Sequence, residues 1–134
     1  PSMRAASMIS MGTAFTAYHF LIGGDWGPEN DRHPHDYRVE AILTGRTLDR
    51  HGYLVDITEV ERALAVLKAR YENATLNARP EFAGLNPSIE HFSRILWESL
   101  VREVPSLDPE RISEVRVRVW ENEIAAAAYA GRIG

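Results

Sequence analysis

A chain of 134 residues has room for one hydrophobic core and excludes a bilobed enzyme. With 45% apolar and 25% charged residues it belongs to the soluble globular class, and no apolar run approaches the roughly 20 residues of a membrane-spanning helix. A net charge of -4 with dispersed arginines argues against a nucleic-acid partner, and the lack of cysteine excludes disulfides and thiolate metal ligands, which fits a cytoplasmic protein.

Residues 1–11 are small and mildly apolar without the long apolar stretch of a signal peptide, and are expected to be a tag remnant and flexible start. Ala14 to Leu21 mixes aromatic, β-branched and small residues and reads as a strand. Gly23 to Asp31 is dense in turn formers and reads as a loop. Tyr37 to Thr47 alternates Tyr37, Val39, Ala41 and Leu43 with Arg38, Glu40 and Ile42, a half-buried strand. Asp56 then caps a helix over Ile57 to Tyr71, with Glu59 placed for a capping box. Glu72 to Leu85, with Pro80 and Gly84, is a loop, and Asn86-Pro87-Ser88 opens a second helix through Ile89, Phe92, Leu96 and Leu100. Val115, Val117 and Val119 form a third strand, and Ile124 to Tyr129 a fourth.

This order predicts a single α+β domain over residues 1–134, a four-stranded antiparallel sheet covered on one face by two helices. Four short strands leave edges that a second subunit commonly covers, so the chain is expected to oligomerise.

The chemistry concentrates in His19, His33 and His35. Strand side chains return to one face every second residue, so one imidazole from the first strand and two from the next can meet at a point. Three imidazoles suit a zinc ion with its fourth position open, as in catalytic sites. His51, in a turn, and His91, on the second helix, have no such context and read as solvated or structural.

Several segments in order resemble the 6-pyruvoyl-tetrahydropterin synthase and 6-carboxy-tetrahydropterin synthase family. They are Phe15-Thr16-Ala17-Tyr18-His19, the His33-x-His35 pair, Gly52-Tyr53-Leu54-Val55-Asp56, Leu76-Asn77, Asn86-Pro87-Ser88-Ile89-Glu90 and Val119-Trp120-Glu121. The resemblance implies a tunnelling fold, in which subunit sheets join into a barrel, and a hexamer of two stacked trimers with sites at subunit interfaces. It further implies zinc on His19, His33 and His35, and a pterin ring held by Glu121 with Asn73 and Ser88 as further substrate contacts.

The chain also departs from that family. His33-Pro34-His35 replaces His-Gly-His, and proline fixes its φ and removes a backbone donor. The family's catalytic cysteine is matched by Glu29, as in a subgroup that uses a glutamate to shorten the side chain of dihydroneopterin triphosphate; a slip in the loop alignment makes Asp25 or Asp31 the nearer carboxylate instead. The Asp-His pair is matched by Glu72 and Asn73, and asparagine does not titrate. Glu29 and Glu72 are therefore the candidate catalytic proton carriers of a zinc-dependent carbon–oxygen or carbon–carbon lyase of pterin metabolism. The alternatives are a pterin-binding protein without turnover, or an enzyme retasked to a related ring system. Glu29 also reads as a solvent-facing loop charge, and Glu72-Asn73 as a plain helix end.

Overall fold

A computed structural model describes residues 5–134; the expected tag remnant at Pro1-Ser2-Met3 lies outside them. In chain order the elements are β1 (Ser7–His19), β2 (His33–Gly45), α1 (Ile57–Tyr71), α2 (Ile89–Glu103), β3 (Ile112–Trp120) and β4 (Ala126–Gly131). The strands form one antiparallel sheet in the order β1-β2-β3-β4, and both helices are inserted between β2 and β3. This is the α+β architecture that the residue pattern implies.

Two strands are longer than expected. β1 begins at Ser7 because Ile9, Met11, Thr13, Phe15, Ala17 and His19 alternate inward against Ser10, Gly12 and Ala14, so the flexible start does not reach Met11. Its partner β2 matches it residue for residue from Ser7↔Gly45 to His19↔His33. The last strand begins two residues late: Asn122 Oδ1 accepts from the backbone N–H groups of Ile124 and Ala125 and holds them in a turn.

Both helices carry the expected caps. The Asp56 carboxylate accepts from Thr58 N at 2.9 Å and Ser88 Oγ from His91 N at 3.1 Å. Glu59 does not close a capping box; its carboxylate takes the Ser106 hydroxyl instead. α1 covers β1, and α2 covers β3 and β4. Between helices and sheet, Phe92 is fully buried and touches Phe15, Tyr37, Tyr71 and Phe82, with ring centroids 5.1 to 6.1 Å apart. Trp97 packs on Tyr129 and donates its indole N–H to Val115 O at 2.8 Å. The helix-free face is polar: Thr16 donates to Asp36, Ser10 to Glu40, Arg118 pairs with Glu40, and Arg38 lies 3.9 Å over the Trp120 ring.

Beyond His19 the chain leaves the sheet but stays fixed. Asn77 and Asn86 each present a side-chain amide as if it were a neighbouring peptide. Phe20 N donates to Asn77 Oδ1 while Asn77 Nδ2 donates to Phe20 O, and Ile22 makes the same reciprocal pair with Asn86. The segment after α1 runs along the outer edge of β1, with Asn73 N donating to Thr16 O and Tyr18 N to Ala74 O. No helix among the described residues is long and apolar enough to cross a membrane.

Phe92→Ala is expected to lower unfolding free energy by about 3–5 kcal/mol, since it removes the ring that four aromatics pack against. Urea denaturation checks this; a loss below about 1 kcal/mol would show that the cluster is not the core's centre.

Candidate metal centre

The β1–β2 register decides the site. His19 lies directly opposite His33, and Ala17 opposite His35, so all three imidazoles share the core face at one end of the sheet. Their ring centroids are 4.5, 4.6 and 5.0 Å apart, and one nitrogen from each lies within 4.8 Å of the others.

Two of the rings are oriented by their other nitrogen. His19 Nδ1 is 2.8 Å from the Tyr37 hydroxyl and His33 Nδ1 is 2.8 Å from the Asp31 carbonyl. In the tautomers with Nδ1–H donating, both Nε2 atoms keep free lone pairs, the usual outer-sphere arrangement of metal-bound histidine. His33 Nε2 is buried with no hydrogen-bond partner among the described residues. A buried nitrogen left without a partner is costly unless something binds it. Burial of His19 and the neighbouring His35 and His33 push its pKa down to about 4, so it is neutral at neutral pH, as a ligand must be. The donor set, the free lone pairs and the neutral imidazole all fit a zinc ion. Pro34 does not disturb this, because it pairs with Tyr18 within an unbroken register.

Tyr37 is the site residue that sequence reasoning missed, although the spacing His33, His35, Tyr37 puts all three on one face. It is fully buried, and burial followed by the charge of Glu121 raises its phenol far above the ordinary value. Glu121 follows the end of β3 and is half-buried, its backbone N–H donating to Ala125 O in the β3–β4 turn. It lines a cleft of about 660 Å³ together with His35, Pro34, Arg38 and Trp120.

The other candidates stand apart from this cleft in a single chain. Glu29 is exposed on a short helical turn over Gly27–Asn30, which is tied back by Leu21 N donating to the Glu29 carbonyl. The turn is built by Asn30, whose amide donates to Leu21 O and Gly24 O and accepts from Trp26 N. Glu72 is exposed at the C-cap of α1, 3.7 Å from Lys68. Asn73 follows at φ 59, a left-handed conformation that asparagine tolerates better than most residues. Ser88 caps α2 and keeps its own hydroxyl hydrogen for another acceptor. His91 is structural, its ring bonded to Asn86 O. His51 is exposed.

The architecture and the histidine cluster together define a class of sheet-and-helix metal-centre domains, and comparison with known proteins narrows it. The family model for 6-pyruvoyl tetrahydropterin synthase matches residues 8–132, and the chain belongs to that family. Among solved structures, Caenorhabditis elegans 6-pyruvoyl tetrahydropterin synthase superposes with a TM-score of 0.80 at 18% identity, covering 95% of this chain and 96% of that one. The Plasmodium falciparum synthase gives 0.77 at 17% identity over 97% and 100% of the two chains. A Plasmodium vivax synthase, described as a variant of a catalytic glutamate residue, gives 0.79 at 14% identity over 97% and 100%. No curated protein matches the chain by sequence.

Two outcomes follow from the His19 environment. Tyr37→Phe removes the partner of His19 Nδ1 and is expected to weaken zinc binding by roughly 10–100-fold in a chelator competition assay, while His19→Ala abolishes it. In metal-free protein, His19 titrates near pH 4 when folded and near 6.5 when unfolded, so the unfolded chain takes the proton first. Its contribution to stability is complete above pH 6.5 and is lost as pH falls toward 4. Urea midpoints between pH 7 and 4 should therefore fall more steeply than in His19→Gln; parallel slopes would contradict the assignment.

Proposed function

We propose that the protein is a zinc-dependent lyase acting on the side chain of a reduced pterin such as dihydroneopterin triphosphate. The observation that carries this reading is the single cleft lined by both His35 of the imidazole cluster and the Glu121 carboxylate. A ring anchored at Glu121 has its substituent within reach of the histidines. Membership in the synthase family supports the substrate class.

His19, His33 and His35 would hold the zinc, which when bound supplies Lewis acidity toward a substrate hydroxyl or carbonyl. Glu121 accepts two hydrogen bonds from an amino-pyrimidine edge, a charge-assisted pairing that fixes the ring's orientation. Tyr37 holds the His19 ring and stays protonated, so it carries no competing negative charge into the site. Ser88 and Asn73 lie outside the cleft of a single chain and would meet a ligand where subunits join, Ser88 with its free hydroxyl hydrogen and Asn73 with an amide.

Proton transfer then falls to carboxylates. Glu29 is the first candidate, and the P. vivax relative described by its catalytic glutamate supports a glutamate in that role. Glu72 is the second. Glu72 would come to a cleft through assembly: the segment that carries Glu72 and Asn73 borders the outer edge of β1, where a neighbouring sheet would join. Among the described residues the outer edge of β4 is unpaired, and Met8 and Ile124 expose 68% and 94% of their surface near sheet ends. A barrel of sheets, assembled as two stacked trimers, would cover these edges and bring Glu72 of one subunit toward the histidines of the next.

Zinc-loaded protein incubated with dihydroneopterin triphosphate is expected to give a pterin product with a shortened or rearranged side chain by mass spectrometry. Glu29→Ala should slow its formation by about 10²–10⁴-fold. Glu121→Ala should chiefly weaken substrate binding, seen as a raised KM. Unchanged substrate that still binds by calorimetry would replace the lyase with a pterin-binding or retasked family member.

A further inference from the structure

Three neighbouring strands each bring an arginine to the end of the sheet opposite the histidines. Arg46 follows β2, Arg111 precedes β3 and Arg132 follows β4. Gly45 pairs with Ile112, which puts Arg46 beside Arg111, while Arg132 follows Gly131, the partner of Val115, at the same end of the sheet, roughly 40 Å along β2 from His33 by the usual strand rise. All three line one open cleft of about 350 Å³, with Thr47 and Ser113 beside them. Glu110 is the only carboxylate side chain among its lining residues.

The arrangement is held in place by the backbone. Asp108 O accepts from both Arg111 N and Ile112 N, at 3.0 and 2.7 Å, and Asp108 Oδ1 accepts from Glu110 N. Gly45 is what allows Arg111 so close, since a Cβ there would lie 2.2 Å from the Arg111 carbonyl oxygen. Ser113 Oγ is committed to Thr44 O. The guanidiniums are not committed. Arg70, Arg94, Arg116 and Arg118 all pair with glutamates, whereas Arg46, Arg111 and Arg132 make no ion pair among the described residues. Arg111 Nε is buried without a hydrogen-bond partner. Three like charges around one cleft repel one another, with Glu110 in the lining and Asp49 near Arg111 offsetting part of that charge, and a multiply charged anion relieves the repulsion while filling the empty donors.

We propose that this cleft is a second binding site, separate from the metal centre, for a phosphoryl oxyanion. Planar guanidinium forks match phosphate oxygens in pairs, and the cleft is large enough for a diphosphate or a small phosphate ester. The site depends on none of the residues assigned to pterin chemistry.

Calorimetry on the zinc-loaded protein with inorganic phosphate, pyrophosphate and glycerol 3-phosphate tests it, and the strongest binder among them separates a free phosphate from a phosphate ester. Saturable binding of at least one at millimolar concentration or below is expected, weakening as salt is added. Arg46→Gln and Arg132→Gln remove exposed side chains, so both variants should fold, and each should weaken binding by about tenfold. Amide resonances of residues 46–47, 110–113 and 132–133 should shift on titration. The proposal is overturned by no saturable binding, by less than a threefold change in either variant, or by shifts confined to the histidine cluster. None of these results depends on whether the protein turns over a pterin.

Discussion

The unbroken thirteen-residue pairing of β1 with β2 is the constraint on which the rest of the molecule depends. Side chains in a strand alternate with a period of two, so a slip of one residue would send every inward group of one strand to the solvent face. His19 sits opposite His33 at the last rung of this ladder, with Phe15 opposite Tyr37 four pairs further in. The core fixes the register through its apolar residues, and the histidines inherit their meeting point from it. The metal centre is thus the final layer of the hydrophobic core, in which the side chains have become imidazoles.

That position explains why the site is supported. Tyr37 belongs to two structures at once: its ring packs against Phe92 at 5.2 Å, and its hydroxyl holds His19. Beyond the ladder, backbone groups of Phe20 and Ile22 no longer have a strand to pair with, and leaving them unpaired would cost free energy. Asn77 and Asn86 satisfy them by imitating a peptide edge, which turns the residues after His19 into a fixed shoulder of the site. A loop that must reach over a ligand is tethered at its base by side chains from the segment between the helices.

Most of the architecture was readable because it rests on periodicity. The α1 boundaries at Ile57 and Tyr71 follow from apolar spacing and the Asp56 cap, and the three histidines follow from strand alternation. What stayed hidden is of another kind. Met8 to Met11 is too weakly apolar for its alternation to stand out, so the first half of β1 became legible only through its pairing with Ala41 to Thr44. Tyr37 looked like one more inward residue, because nothing in a sequence states that a phenol will face an imidazole eighteen residues earlier. The asparagine clamps span 57 and 64 residues, far beyond any local pattern. Glu29, Glu72 and Glu121 share the same side-chain chemistry, and the fold separates them: Glu121 is half-buried in the cleft with His35, while Glu29 and Glu72 are exposed.

The charges of the site follow a consistent order from inside to outside. Burial and its imidazole neighbours keep His19 neutral, and burial with the Glu121 charge keeps Tyr37 protonated, so the innermost layer carries no net charge. The negative charge sits farther out on Glu121, where Arg38 and Trp120 share its cleft. His19 therefore offers a lone pair and not a protonated ring, and Glu121 lines the cleft beside His35. In the proposed reading a pterin ring would meet that carboxylate with donors on its own edge able to satisfy both oxygens. Moving the carboxylate to the inner layer would force it either to take up a proton or to bind the metal itself, and in either state it could no longer orient a ring. The one-residue step from Trp120 at the end of β3 to Glu121 in the turn is what keeps those two functions apart.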